Sequence, residues 1–169
     1  MIVVLGIDPG LTGAVAAINV ATKTCRIADL PTVALEGKGL VKRRLQGRDL
    51  VHVLRDLIPA DGAALVLLER VGAMGGKNNA VQTQASLAGT YLSIRCLLDV
   101  LRLQPTLVEP RKWKSHYGLG RKRGEKDAAY GARHLEKARQ LYPEAPLSLA
   151  KHHNRAEALL IAHLGLEML

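Results

Sequence analysis

Two short apolar runs, each followed by a carboxylate, constrain the fold of this chain more than any other feature. The first begins at Ile2 and reaches Asp8, where Asp-Pro-Gly is typical of a strand that ends in a tight turn. The second is the uninterrupted stretch from Ala64 to Leu68, which Glu69 follows. Its length and its Val and Leu content predict a strand buried on both faces. The sequence therefore predicts a sheet that is covered on both sides.

The remaining pattern predicts an α/β fold in which a mixed β-sheet is flanked by helices. Further strands are expected at Gly13–Val20, Thr24–Leu30 and Thr106–Val108. Helices are expected at Asp49–Ile58, Val81–Leu103, Arg111–Tyr117, Glu125–Leu141 and His152–Met168, with loops at Pro31–Gly47 and Val71–Asn79. The sequence has no repeat, low-complexity segment or linker, so residues 1–169 are expected to form one domain.

Most of the net positive charge lies in one segment. The 169 residues carry 24 Lys and Arg against 15 Asp and Glu, a formal net charge of +9. Residues 111–139 hold ten of the basic and three of the acidic side chains, a net +7. The segment also contains the only Trp, Trp113, together with Tyr117, Gly118 and Gly120. This mixture favours contact with nucleic acid phosphates over the alternative, a plain solvated helix face.

The composition excludes several other classes of protein. Two cysteines, Cys25 and Cys96, are too few for a disulfide scaffold or a Cys-rich zinc module. No apolar run reaches the ~18 residues of a membrane span, and no basic segment precedes the first apolar run as in a signal peptide. We therefore expect a cytoplasmic protein with a polyanionic partner, nucleic acid first and an acidic membrane surface second.

A third acid, Glu157, lies in the first turns of the last predicted helix. If the two strands are neighbours and this helix packs across their ends, Asp8, Glu69 and Glu157 converge. His153 lies four residues before Glu157, on the same helix face. Clustered carboxylates repel one another, and oxygen ligands of this kind suit Mg²⁺ or Mn²⁺. Two such ions about 3.5–4 Å apart can promote phosphodiester hydrolysis.

The alternative is that the three acids are unrelated and serve local structure. Each would then have a partner close in sequence: the turn for Asp8, Arg70 for Glu69, and Lys151 or Arg155 for Glu157. The spacing alone leaves both possibilities open, because the convergence depends on how the helix packs.

Four segments in order carry a resemblance to a known family: Gly6–Gly13, Leu67–Arg70, Val108–Lys114 and Ala156–Ala162. They resemble the motifs of RuvC-type Holliday junction resolvases, phage-type members in particular, within the ribonuclease H-like superfamily. The resemblance spans nearly the whole chain. It implies a five-stranded mixed sheet, a homodimer, and a nuclease with two Mg²⁺ ions per site that Mn²⁺ can replace. Such an enzyme cuts opposed strands of a four-way DNA junction.

The resemblance also implies site residues. Asp8, Glu69 and Glu157 match acidic metal-ligand positions, with Asp8 bridging both ions. The fourth position, commonly Asp and His in some members, falls on His153 or Asn154, and His153 is favoured because it lies one turn before Glu157. Contacts with the DNA backbone are expected from Lys77, Arg111, Lys112, Lys114, Arg121, Lys122, Arg123 and Lys126.

One departure from the family concerns junction selectivity. Members often carry an aromatic residue just after the second acid, where it can stack on an opened base. Here the chain has no Phe, Val71–Asn79 contains no aromatic residue, and Met74 is the only large apolar side chain at that place. The departure suggests broader activity on branched DNA.

Two other functions fit parts of the sequence. A catalytically inactive DNA-binding module could use the same fold, although the three acids are intact. An actin-like or sugar-kinase ATPase also has a Gly-x-Asp-x-Gly-x-Thr-Gly hairpin, but it needs two such domains around a cleft, and 169 residues hold only one.

Overall fold

In the computed structural model, which describes residues 1–36, 43–71 and 81–169, five strands form one mixed sheet. The strands among the described residues are β1 (Ile2–Ile7), β2 (Ala14–Asn19), β3 (Cys25–Asp29), β4 (Thr32–Ala34), β5 (Arg43–Leu45), β6 (Ala63–Glu69) and β7 (Pro105–Val108). The sheet order is β3-β2-β1-β6-β7, with β2 antiparallel to both its neighbours and β6 parallel to both of its own. The predicted five-stranded mixed sheet is confirmed.

Helices cover both faces of this sheet. They are α1 (Gly47–Leu57), α2 (Val81–Val100), α3 (Pro110–His116), α4 (Asp127–Leu141) and α5 (His153–Glu167), and a 3-10 turn at Ala150–His152 leads into α5. Among the described residues, no helix is long and apolar enough to cross a lipid bilayer.

Strand β6 contributes to two separate hydrophobic clusters, as its apolar composition predicts. Leu67 points into the cluster with α4 and α5, whereas Val66 and Leu68 point into the cluster with α1 and α2. All three side chains are buried. Because alternate side chains of a strand face opposite sides, an uninterrupted apolar run is what a strand at this position requires.

The prediction of a loop at Pro31–Gly47 is wrong for the residues of this range that the structure describes, 31–36 and 43–47. Strands β4 and β5 form a two-stranded antiparallel ribbon in which Thr32 pairs with Leu45, and α1 begins at Gly47. The Arg43 guanidinium holds the ribbon, since Nε donates to Thr32 Oγ1 at 2.7 Å and Nη2 donates to Thr32 O at 2.8 Å. Three-residue strands carry too little alternation to be recognised in the sequence.

Helix α5 lies directly on β1, and two glycines permit this approach. A Cβ added at Gly6 would lie 2.2 Å from Ala158 O and 2.3 Å from Ala162 N. One added at Gly165 would lie 2.4 Å from the side chain of Leu67. Gly6 near the end of β1 faces the first half of α5, so the helix begins at the carboxyl end of the strand. The register of α5 on β1 therefore places Glu157, the residue before Ala158, at that end of the sheet.

Gly6→Ala should therefore lower the free energy of unfolding by about 3 kcal/mol or more, because the new methyl meets backbone atoms that cannot rotate away. Gly89→Ala on α2 is the matched control, since its Cβ would meet nothing within 4 Å. That change should leave stability unchanged or raise it by up to about 1 kcal/mol. Urea unfolding of the three proteins measures both effects, and an unchanged Gly6→Ala midpoint would contradict the close approach.

Candidate active site

Three carboxylates from three elements lie together at the carboxyl end of the central strands. Asp8 follows β1, Glu69 ends β6, and α5 carries Glu157. Because β1 and β6 are parallel neighbours, their carboxyl ends lie side by side. The Lys114 ammonium on α3 joins two of the acids, with Nζ 3.0 Å from Glu157 Oε2 and 3.9 Å from Glu69 Oε1. The acids that the sequence analysis selected thus meet at one place.

Asp8 is the most strongly perturbed of these acids. Its side chain is buried, and Oδ1 accepts a long hydrogen bond of 3.3 Å from the Gly10 backbone N–H. Burial first, and then the negative charges of Glu157 and Glu69, raise the pKa of Asp8 to about 8. An ionised Asp8 is therefore unfavourable at neutral pH unless a positive charge is added near it.

Glu69 is fixed by the only tryptophan. Trp113 is buried on α3, and its indole Nε1 donates to Glu69 Oε1 at 2.9 Å. Burial raises the pKa of Glu69, while the Lys114 charge and the Trp113 hydrogen bond oppose that rise. Trp113 belongs to the stretch that the sequence predicts to contact phosphates, and in the structure it orients an acid of the site.

Lys114 is likewise part of the site and not of the exposed surface. Its side chain is only 18% exposed, and its ammonium lies between Glu69 and Glu157. Burial by itself lowers the pKa of Lys114, but the charges of Glu157 and Glu69 outweigh it, so the net pKa is raised. The lysine therefore stays charged and partly neutralises the cluster. Its expected contact with the DNA backbone gives way to this internal pairing.

His134 on α4 also faces the acids, and the sequence analysis missed it. The side chain is fully buried, and Nδ1 lies 2.8 Å from the Tyr130 carbonyl oxygen. Nε2 lies 3.9 Å from Glu157 Oε1 and has no hydrogen-bond partner among the described residues. Burial is the main reason that the pKa of His134 is lowered, so the ring is neutral. No motif in the sequence marks this histidine.

Asn154 and His153, the two candidates for the fourth ligand, make different contacts in the structure. Asn154 Nδ2 donates to both the backbone O and Oγ1 of Thr12, each at 2.8 Å, which ties α5 to the β1–β2 turn. His153 is the first residue of α5, and its Cβ and ring lie against Gly131 of α4. Within the described ranges, the His153 side chain makes no hydrogen bond or ion pair, with Glu157 or with any other residue.

The local pairings that formed the alternative explanation are found only for Asp8. Its carboxylate does cap the turn at Gly10, as that alternative expects. Glu69 and Glu157 share Lys114 instead of pairing with neighbours in sequence. Arg155 pairs with Asp29, with Nε and Nη2 lying 2.5 and 2.6 Å from its two carboxylate oxygens.

The donor set at this place fits a divalent cation. It comprises three carboxylates and the unpartnered Nε2 of His134, and a cation would relieve the cost of ionising Asp8. As they stand in the described part of the chain, no three His, Cys, Asp or Glu side chains form a group arranged to hold a metal ion. The Lys114 ammonium lies between two of the acids and supplies the neighbouring positive charge.

A cleft of about 690 Å³ opens beside the acids. Asp8, Glu69, Arg70 and Arg111 belong to its lining. The cleft continues to Val71, the last described residue before 72–80. Lys77 and Met74, which the sequence analysis singled out, lie outside the described residues.

The other basic candidates divide into paired and unpaired side chains. Lys112 pairs with Glu109 at 3.7 Å, and Arg121 pairs with Asp127. No ion pair or side-chain hydrogen bond to another described residue involves the exposed side chains of Arg111, Lys122, Arg123 and Lys126. These four are free to take phosphate partners.

Arg133 holds the basic loop between α3 and α4 in place. Its guanidinium donates to both carboxylate oxygens of Glu125 at 2.8 Å and to the carbonyl oxygens of Gly118 and Gly120. Glu125 in turn accepts from the Lys122 backbone N–H at 3.0 Å. The loop is therefore a fixed scaffold for its outward-facing cations.

Lys114→Met should lower the free energy of unfolding at pH 7 by about 3–5 kcal/mol, because it leaves two largely buried glutamates without their cation. Lys112→Met, two residues away, is the control: Lys112 is 78% exposed, and its loss should cost no more than about 1 kcal/mol. Equal destabilisation of the two variants in chemical denaturation would contradict the buried role of Lys114.

Asp8→Asn should stabilise the metal-free protein increasingly as the pH rises from about 4 to 8. The folded-state pKa is raised, so the folded protein binds more protons than the unfolded chain across this range, and its stability falls as pH rises. The amide removes that loss, which amounts to a few kcal/mol at pH 8. Thermal unfolding with a chelator present measures it. Asp61→Asn, a change at an exposed position, is the control. A stability difference between Asp8→Asn and the parent that does not vary with pH would contradict the burial of the Asp8 charge.

Comparisons with known proteins give a distant likeness in fold. No protein-family model matches the chain, and no curated protein matches it in sequence. Among solved structures, the chain is similar to the Thermus thermophilus RuvC structure, with a TM-score of 0.47 and 19% sequence identity over 96% of each chain. A likeness of this degree concerns the fold alone and does not distinguish phage-type members. The activity must therefore be inferred from the site residues.

Proposed function

We propose that this protein is a metal-dependent endonuclease that hydrolyses phosphodiester bonds in branched DNA, with four-way junctions as its main substrate. The observation that carries the proposal is the meeting of Asp8, Glu69 and Glu157 at the end of the central strands. A cleft lined by Asp8, Glu69 and Arg111 gives a phosphate access to two of these acids. Clustered acids beside basic residues are the arrangement that phosphoryl chemistry with divalent cations requires.

In this proposal the three carboxylates would hold two divalent cations, Mg²⁺ or Mn²⁺, together with His153, the fourth ligand that the resemblance implies. The chemistry that such cations would supply when bound is activation of a water and stabilisation of the departing 3′ oxygen. Trp113 orients Glu69 through its indole N–H, and Lys114 limits the repulsion between Glu69 and Glu157. The protein's part is thus to concentrate negative charge where cations and a phosphate must meet.

The basic loop is proposed to hold the DNA backbone. Lys122, Arg123 and Lys126 are exposed and point away from a scaffold that Arg133 and Glu125 fix. Phosphates can also replace the exposed acidic partners of Lys112 and Arg121, because surface ion pairs contribute little to stability. These cations lie on the segment that leads from α3, which enters the site, to α4.

The proposal includes a homodimer formed through α2. This helix exposes a continuous apolar stripe at positions 81, 85, 88 and 92, spaced by three and four residues. Val81 is 81% exposed and Leu92 is 56% exposed, whereas Ile94 and Leu98 on the opposite side are buried in the core. A second copy would cover the stripe and present two active sites to opposed DNA strands.

One observation favours the second candidate, an inactive module that binds branched DNA. The Lys114 ammonium already neutralises part of the acidic cluster, as a structural cation would in a site that never takes a metal. Catalysis requires that added cations bind despite this lysine. A cleavage assay separates the two functions.

The test is Mg²⁺-dependent cleavage of a synthetic four-way junction, run beside three-way, flap and linear duplex DNA. The parent protein should cut the junction with Mg²⁺ and not with a chelator. Asp8→Asn and Glu69→Gln should each lose at least about a hundredfold in rate while junction binding changes little. Retained cleavage by Asp8→Asn would contradict the site, and binding without any cleavage by the parent would establish the inactive module.

Charge reversal at Lys122 and Arg123 should weaken junction binding and lower the slope of log Kd against log salt by about 2, because two phosphate contacts are lost. The control reverses two exposed cations at the opposite end of the sheet, Lys23 and Arg55, and makes the same change in net charge. Fluorescence anisotropy over a salt series measures both variants. Equal effects of the two pairs would show that only net charge matters and would contradict a role for the loop.

A further inference from the structure

The unpartnered ring nitrogen of His134 points into the acidic site from a helix that the proposed metal ligands do not use. We propose that His134 Nε2 and Glu157 Oε1 together ligate a divalent transition cation, which makes the site selective for Mn²⁺ over Mg²⁺. The inference rests on the proposed function only in assuming that this acidic site takes cations at all.

The tautomer of His134 follows from its hydrogen bond. Nδ1 lies 2.8 Å from the Tyr130 backbone oxygen, which can only accept, so Nδ1 carries the hydrogen and Nε2 keeps its lone pair. Nε2 is fully buried and faces the carboxylate of Glu157. Two acceptors facing each other in a buried place are unfavourable unless a cation or a donor lies between them.

The separation of these two acceptors suits a shared cation. The 3.9 Å from Nε2 to Glu157 Oε1 is too long for a hydrogen bond, whereas two ligand bonds of about 2.1 Å each can span it. The Lys114 ammonium lies on the other oxygen, 3.0 Å from Oε2. A cation on the Oε1 side therefore does not require that Lys114 leave its place. With only two protein ligands, the remaining positions are open to water and phosphate oxygens.

The surroundings of His134 hold the ring as a metal ligand needs to be held. Metal-binding histidines usually donate their second ring N–H to a carbonyl or carboxylate, which is what Nδ1 does with Tyr130 O. The rings of Tyr130 and Trp113 pack edge-on against the imidazole, with centroids at 4.5 and 5.9 Å. Nitrogen ligands favour Mn²⁺ and later transition ions over Mg²⁺, which prefers oxygen.

Trp113 provides a readout of cation binding that needs neither DNA nor cleavage. It is the only Trp in the chain, it packs against His134, and it donates to Glu69. Titrating MnCl₂ and MgCl₂ into the parent protein should change its fluorescence, with Mn²⁺ binding at least about tenfold more tightly. His134→Phe should lower the Mn²⁺ affinity by at least about tenfold and change the Mg²⁺ affinity by less than about threefold.

The control is His163→Phe, which makes the same change at a ring that also packs edge-on against a tyrosine, Tyr142, at 5.5 Å. It should leave both affinities unchanged. Unaltered Mn²⁺ binding in His134→Phe would overturn the inference and leave a bridging water as the partner of Nε2. Absence of any Mn²⁺ binding by the parent protein would overturn it as well.

Pulsed electron paramagnetic resonance on the Mn²⁺-loaded parent protein tests the same point without relying on that variant's folding. A directly bound imidazole nitrogen modulates the Mn²⁺ spin echo, and the modulation should decrease in His134→Gln and stay unchanged in His163→Phe. Its absence in the parent, or an unchanged modulation in His134→Gln, would overturn the inference. If the modulation is present but DNA is not cut, the inference stands and the proposed function fails. If DNA is cut but the modulation is absent, the proposed function stands and the inference fails.

Discussion

The contact of α5 with β1 determines where Glu157 lies relative to Asp8. Gly6 lets the helix backbone approach the central strand to a distance that any side chain would prevent. The small residues Ala158 and Ala162 face it from the helix. This register brings Glu157 to the carboxyl end of β1, beside Asp8. A change of one helical residue in register would turn Glu157 by roughly 100° and remove it from the site.

Placing three acids at one partly buried place has an electrostatic cost that the remaining site residues reduce. Lys114 binds two of the acids, and Trp113 holds one of them through a hydrogen bond. Asp8 receives only a long backbone hydrogen bond, and its pKa is raised to about 8. The uncompensated charge is thus concentrated on the acid at the centre of the sheet. A cation bound at this point would offset the cost of burying the Asp8 charge and its repulsion from Glu157 and Glu69.

The sequence predicted the acids because each of them follows or enters a strongly apolar element. Asp8 and Glu69 follow the two apolar runs predicted as strands, and Glu157 lies in the first turns of the apolar last helix. The sequence predicts DNA contact for Lys114, and it groups Trp113 with the same segment, because a basic, aromatic and Gly-rich mixture favours phosphate contact. Only the packing of α3 against the end of the sheet turns both side chains toward the acids. Their positions depend on tertiary contacts that the local pattern does not contain.

The histidines show the same limit of the local pattern. His153 and Glu157 both lie on α5, four residues apart as predicted. His153, at the start of α5, nevertheless packs against Gly131 of α4. The histidine nearest to Glu157 in the structure is His134, which comes from α4 and lies 23 positions earlier in the chain. A helix face can be deduced from spacing, whereas the neighbour of that face follows only from how α4 and α5 pack.

The most direct test of the acidic site as a cation site is anomalous diffraction from crystals grown with MnCl₂. The structure and its chemistry predict anomalous density within bonding distance of Asp8, shared with the carboxylates of Glu69 or Glu157. Crystals of Asp8→Asn grown under the same conditions should lose that density. Density absent from the parent at saturating Mn²⁺, with the Lys114 ammonium still between the two glutamates, would contradict the account.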